Sequence, residues 1–143
     1  MIFRKYRALV IMGMVLAILS LLVILFQQIK RDELNNQLTK VQLQNVRVGA
    51  GISNGVLGTA IFGEINNKGE KIISIAEMNV DFLNKNGEVA KVHKFFPVNK
   101  FSFRESLPLK PGQSKEFGFP IDDIVPEDWD GTFTARLTEL IFK

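Results

Sequence analysis

The chain has 143 residues, a formal net charge of +3 and no cysteine. The lack of cysteine excludes disulfides, thiolate zinc sites, thiol catalysis and lipid attachment through a cysteine. Five of the 18 Lys and Arg residues and none of the 15 acidic residues precede residue 32, so the rest of the chain is slightly acidic. A basic surface for nucleic acid is therefore not indicated.

An uncharged apolar run, residues 8–26, directly follows the cationic segment that contains Arg4, Lys5 and Arg7. As a helix it reaches about 28 Å, close to the roughly 30 Å hydrocarbon core of a bilayer. A cleaved secretory signal, with an apolar run of about 7 to 15 residues and a small-residue cleavage site, is one alternative. A pilin-type leader is another alternative. Such helices usually carry a glutamate near their start, and residues 8–19 contain none. The run is longer than a signal needs and has no Ala-x-Ala, so the sequence predicts an uncleaved transmembrane anchor over residues 8–28.

The cations around the anchor predict its orientation. Three lie before it, whereas Lys30 and Arg31 lie behind it and are followed at once by acidic residues. Because Lys and Arg concentrate on the cytoplasmic side of membrane segments, residues 1–7 are predicted to be a cytoplasmic tail. The protein is then a single-pass component of the inner or plasma membrane, with residues 41–143 periplasmic or extracellular.

Residues 29–40 are predicted to form a short stalk between the anchor and the domain. Leu34, Leu38 and Val41 recur at helical intervals, which favours a helix continuing out of the membrane. An irregular linker rich in Asn and Gln is the alternative.

Two small residues, Gly13 and Ala17, stand four apart within the anchor. Small residues at this spacing let membrane helices approach closely. They are therefore candidate interaction residues for a protein partner in the same membrane.

From residue 41 the spacing of apolar residues changes from the helical period to a period of two residues, which is typical of strands. Six segments with strand composition, 41–48, 58–66, 72–83, 88–96, 115–121 and 132–142, are separated by turn-forming groups such as Pro111-Gly112 and Asp130-Gly131. In the third segment, Met78, Val80 and Phe82 alternate with polar residues, so one face is expected to be dry and the other wet. Two such sheets packed face to face form a sandwich, here expected to have about seven short strands.

Several turns and core positions also resemble a known family. The segments GEINNKG at 63–69, FLNKNGEV at 82–89 and LKPGQS at 109–114, which leads to Phe117, are similar to the FxLYD type of immunoglobulin-like domain. The resemblance covers residues 55–120 and implies an immunoglobulin-like antiparallel β-sandwich outside the cytoplasm, tethered by a membrane segment or a lipid. Asn84 stands where the family commonly has an acidic residue, a change that a turn tolerates. The family shares no catalytic residues, so none is transferred.

The residues themselves indicate no reaction. The single histidine, His93, lies between lysines on a predicted strand and is interpreted as a solvated strand residue. The acidic segment 121–131 lacks the full spacing of a calcium loop, and it is interpreted as a solvated turn with Trp129 folded into the core. We therefore expect no enzyme activity, no metal site and no cofactor.

A group of phenylalanines is the second candidate interaction site. Phe95 and Phe96 are adjacent, so a regular strand cannot direct both to the same face. Phe101 and Phe103 follow, close to cationic residues. Packing beneath a long connection is one interpretation. The other is an exposed surface for lipid headgroups or a protein, formed by Phe96, Phe101 and Phe103.

These features predict a non-enzymatic, membrane-anchored module that binds other proteins or serves as an accessory subunit of a membrane complex. The alternative is a module that binds an envelope component, such as peptidoglycan, a lipid or a small solute. An apolar pocket between the two sheets would favour that alternative. Contact with the lipid bilayer is expected in either case.

Overall fold

The chain begins with one long helix. In a computed structural model, which describes residues 2–53, 55–102 and 107–143 but not the side chains of residues 2–5, 7–9 and 53, helix α1 spans Ile2–Thr39. It is long and apolar enough to cross a membrane, and its apolar side chains from residue 10 to residue 26 are exposed on all sides. The helix continues through the predicted stalk, so the alternative of an irregular linker is wrong.

The chain divides into two units, Met1–Asn36 and Gln37–Lys143. The second unit contains six strands: β1 Val41–Ser53, β2 Val56–Asn67, β3 Ile73–Asn84, β4 Val89–Asn99, β5 Ser114–Pro120 and β6 Trp129–Phe142. They form two antiparallel sheets of three strands each, with the order β1-β2-β5 in sheet A and β4-β3-β6 in sheet B. The domain is therefore mainly β, as the sequence predicts.

The described residues contain six strands instead of the expected seven or so. Leu109 makes only an isolated bridge to Ile73, with backbone bonds of 2.9 Å in both directions. Leu109 thus pairs with β3 on the same side as β4, but only at one residue, before the chain crosses to sheet A. Pro108 and Pro111 flank it, and because proline has no N–H to donate, the pairing does not extend into a strand.

The core is formed by the inward faces of the two sheets. Phe82, Met78 and Val80 of β3 are fully buried, as are Ile61 and Ile65 of β2. Burying an aliphatic or aromatic side chain of this size contributes about 1.5 to 3 kcal/mol relative to leaving it in water. The alternation of β3 that the sequence predicts is therefore confirmed on its apolar face.

Side chains build the turn between β3 and β4. Asn84 Oδ1 accepts hydrogen bonds from the N–H groups of Asn86 and Glu88, at 2.9 and 3.0 Å. Gly87 has a φ of +77°, a conformation that side chains with a Cβ rarely adopt. The amide oxygen of Asn84 thus accepts the backbone hydrogen bonds of the turn, as the carboxylate of an acidic residue would at this position.

Candidate interaction surface

Strand β4 separates the two adjacent phenylalanines. Phe95 is 6% exposed and points into the core, whereas Phe96 is 41% exposed on the opposite face. Pleating directs successive side chains of a strand to opposite faces, which accounts for the difference. The sequence prediction that only one of the two rings can be inside is confirmed.

Phe95 belongs to a row of rings that connects the two sheets. Its ring stacks on Phe119 of β5 at 4.8 Å between centroids, and Phe119 stacks on Phe117 at 5.5 Å. At the other end of the row, the His93 ring lies 4.7 Å from Phe95. His93 is half-buried and packs on an aromatic ring, so the interpretation of a solvated histidine is wrong.

The position of Phe117 in this row requires a glycine on the neighbouring strand. A Cβ atom on Gly63 of β2 would lie 2.6 Å from the ring of Phe117, which faces it across the sheet. The ring lies directly against the backbone of the neighbouring strand because Gly63 has no side chain. Sequence reasoning missed this contact, since the pairing of β2 with β5 is needed to see it.

The row borders a surface cleft of about 520 Å³ between β4 and β5. Phe96 and Phe119 contribute apolar walls, and Lys94 and Glu116 contribute charged groups. Apolar surface within a polar rim is typical of protein interfaces. The cleft brings Phe96 together with the edge of sheet A, which was not evident from the sequence.

Phe101 lies just beyond the end of β4 and is 71% exposed. Its N–H donates to Asn99 Oδ1 at 3.0 Å, and the Lys100 ammonium lies 4.9 Å from the centre of its ring. Packing beneath the connection is therefore the wrong interpretation for Phe101. Phe103 lies outside the described residues.

Two small residues of helix α1 are the remaining candidate interaction residues. Gly13 and Ala17 are exposed, and a Cβ on Gly13 would meet no atom within 4 Å. Ser20, one turn further, donates its hydroxyl to Leu16 O at 2.9 Å, so its polar group is satisfied within the helix.

The polar face of β3 is far less solvated than its sequence suggests. Glu77 and Asp81 are only 8% and 5% exposed. Lys94 Nζ lies 2.9 Å from Glu77 Oε1, and Arg136 forms an ion pair with Asp81. The hydrogen bond from Lys94 is the main cause that lowers the pKa of Glu77, although burial acts in the opposite direction. The expectation of a wet face is therefore wrong at these two positions, because long cationic side chains of the neighbouring strands cover them.

The carboxylates of the acidic segment bind the backbone. Both oxygens of Asp122 accept the Thr59 N–H, at 3.0 and 2.8 Å, just where the pairing between β2 and β5 ends. Asp130 accepts hydrogen bonds from the hydroxyl and the N–H of Thr132, which lower the pKa of Asp130. Among the described residues, no group of three or more His, Asp or Glu could hold a metal ion.

Comparison with models of protein families, with curated proteins and with solved structures gave no match to this chain. The resemblance to FxLYD-type domains therefore rests on the turns and core positions of the sequence itself.

Proposed function

We propose that the chain is a single-pass membrane protein whose β domain acts without catalysis, as a protein-interaction module or accessory subunit of a membrane complex. The apolar helix supports the anchor, since its length and composition suit a bilayer. The cation asymmetry around that helix supports a cytoplasmic N-terminus and a domain on the opposite side of the membrane.

In this proposal the domain is an immunoglobulin-like sandwich of the FxLYD type. Its support is the pair of three-stranded antiparallel sheets, together with the stacking of Phe95 in sheet B on Phe119 in sheet A. The turn at Asn84 and the buried ring of Phe82 agree with the segments that resemble the family.

One observation carries the functional proposal: two exposed aromatic rings, Phe96 and Phe101, lie along or beside a cleft with a polar rim. Aromatic residues are enriched at protein interfaces, and a few of them commonly supply most of the binding energy. Lys100 beside the ring of Phe101 adds a positive charge that would orient a partner.

The alternative, a module that binds a small envelope ligand, has less support. Ligand pockets usually enclose most of their ligand, whereas the cleft beside Phe96 is open to solvent. Fully buried side chains, including Phe82 and Ile61, occupy the space between the sheets, where an apolar pocket would have favoured this alternative.

The test is copurification from cross-linked native membranes, comparing the full chain with the double variant Phe96→Ser and Phe101→Ser. We expect the variant to lose its specific partners by about ten-fold or more, because truncating an interface anchor commonly costs at least 2 kcal/mol. Val92→Ser is the matched control, since Val92 is 49% exposed on the same strand but does not line the cleft. Unchanged recovery in the double variant, or equal loss in the control, would refute the proposed surface.

A further inference from the structure

The four edge strands of the two sheets differ in how well they are protected against pairing with another chain. Strand β1 contains a bulge at Asn45, which has a φ of +53°. Strand β4 contains Pro97 beside a register shift, and β6 has three register shifts against β3. Bulges and prolines of this kind prevent edge-to-edge association. By contrast, β5 pairs with β2 over all its residues, Ser114–Pro120, without a shift, and its proline is the last residue.

The hydrogen bonds at both ends of this pairing show which backbone groups of β5 point outwards. Ile121 N–H donates to Thr59 O, and Asn67 N–H donates to Gln113 O, each at 2.9 Å. Since residues of an antiparallel strand alternate in direction, the odd-numbered residues 113–121 face β2. Ser114, Glu116 and Gly118 therefore direct their N–H and C=O groups to the free edge of sheet A.

We propose that this edge pairs with β5 of a second copy of the chain, antiparallel and about a two-fold axis at Phe117. In this register Glu116 of one copy lies opposite Gly118 of the other, and Ser114 lies opposite Pro120. Each outward N–H of β5 then meets an outward carbonyl of the other copy. Pro120 supplies only a carbonyl, so its missing N–H leaves no donor unpaired.

Length and charge select this register over its neighbours. A two-fold axis at Glu116 would place two carboxylates directly opposite each other, and like charges in that position are destabilising. An axis at Glu116 or at Gly118 would also leave part of β5 unpaired, whereas an axis at Phe117 pairs the whole strand. Phe117 contributes only its backbone position to this register, because its ring is buried against Gly63 of β2.

A second copy is the occupant that fits best because the strand is self-complementary. If the helix anchors the chain as proposed, all copies also lie in one membrane with the same orientation, and this raises their effective concentration. A single strand pair of this length is a weak association in dilute solution, so its test belongs in membranes. The β5 edge also lines the cleft beside Phe96, so a second copy would compete with a partner bound in that cleft. The substitutions at Phe96 and Phe101 leave β5 unchanged, and the two proposals can therefore fail separately.

Because the chain contains no cysteine, introduced cysteines report on the pairing without background. Two differently tagged full-length variants, Glu116→Cys and Gly118→Cys, are produced together and oxidised briefly in their native membranes. Opposite residues in a hydrogen-bonded pair have Cα atoms about 5.5 Å apart, within the range that a disulfide spans. Two copies of Glu116→Cys would instead be diagonal neighbours, about 9 Å apart, which exceeds that range.

A second pair of cysteine variants is needed because Gly118→Cys could distort the strand: a Cβ at position 118 would lie 3.1 Å from the ring of Phe62. Ser114→Cys and Pro120→Cys are opposite in the same register, whereas two copies of Ser114→Cys are about 20 Å apart along the strands. Gln42→Cys, on the exposed edge of β1, controls for random collision in the membrane. Fluorescence of Trp129, the single tryptophan, checks that each variant is folded.

We expect both mixed pairs to cross-link at least about five-fold more than any single variant with itself or than the Gln42 control. Equal yields in all combinations would show that the copies only collide, and absence of cross-links in folded variants would show that the edge does not pair. Preferential linking of Gly118→Cys to itself, in a variant that retains Glu116, would contradict the register. Each of these three results overturns the proposal.

Discussion

The rings of Phe82 and Trp129 meet edge to face, with centroids 5.5 Å apart and planes at 90°. Trp129 begins β6, and its Nε1 donates to Thr132 O at 2.6 Å, so the indole is fixed above the fully buried ring of Phe82. Aromatic pairs in this geometry add about 0.5 to 1.5 kcal/mol beyond their buried area. The contact joins the end of β3 to the start of the last strand.

Phe82→Ala should therefore be among the most destabilising single changes in the domain. It removes a fully buried ring and the support beneath Trp129, and we expect a loss of about 3 to 5 kcal/mol in the free energy of unfolding. Urea unfolding followed by Trp129 fluorescence measures it. Phe101→Ala, at a ring that is 71% exposed, should change stability by less than about 0.5 kcal/mol. Equal losses in the two variants would contradict the assigned core.

The ion pair of Asp81 with Arg136 predicts an asymmetry between its two partners. The Asp81 side chain is 7% exposed, whereas that of Arg136 is 58% exposed. Arg136→Ala would leave a buried carboxylate without its cation, and we expect a cost of about 1 to 3 kcal/mol. Asp81→Ala would leave an arginine that water can solvate, so the cost should stay below about 1 kcal/mol. Thermal unfolding of both variants tests the order, and a larger loss in Asp81→Ala would contradict it.

The lowered pKa of Glu77 predicts a loss of stability in acid. Its carboxylate accepts hydrogen bonds from Lys94 and Thr138, so the folded state binds a proton less readily than the unfolded state, where the pKa is near its usual value of about 4.3. The stabilisation is therefore complete above about pH 5 and is lost as the pH falls through the lowered pKa of the folded state. Urea midpoints between pH 6 and pH 3 measure the effect.

In the same pH series, Lys94→Met removes the main cause of the shift. Its midpoint should fall less steeply in acid than that of the unchanged chain, while other carboxylates, such as Asp130, contribute equally to both. Glu77→Gln should show the same shallower slope. A slope that neither variant alters would show that Glu77 does not contribute.

Much of the domain could be predicted from the sequence because its signals are local. The alternation around Phe82 places the core face of β3, and the placement of Trp129 against that core follows from its position after an acidic turn. The opposite orientations of Phe95 and Phe96 follow from adjacency alone. Each of these conclusions needs only a strand and its period.

The errors share a different cause, since each depends on which strand lies next to which. Burial of Glu77 requires Lys94 on β4 to lie across it, and the half-burial of His93 requires the ring of Phe95 beside it. The close approach of Phe117 to Gly63 depends on the register of β5 with β2. A single sequence carries the period of a strand but not the identity of its neighbour.

The helix gives a separate prediction at Gly13. A Cβ there meets no atom within 4 Å, so Gly13→Ile should leave the helix and its membrane insertion intact. If Gly13 and Ala17 form a packing face with another membrane helix, the bulkier side chain should reduce copurification of partners several-fold. Leu22→Ile, at another exposed position of the helix, is the control. Recovery of the same proteins in the same amounts would show that this face contacts lipid only.

The proposed topology, in which helix α1 holds the β domain on the non-cytoplasmic side of a membrane, can be tested by protease accessibility. Sealed right-side-out vesicles that contain the full chain are treated with protease, with and without detergent. We expect protease alone to remove residues 41–143 and to leave a protected fragment that contains residues 8–26. A domain that is digested only after detergent is added, or a chain released from the membrane before any treatment, would contradict it.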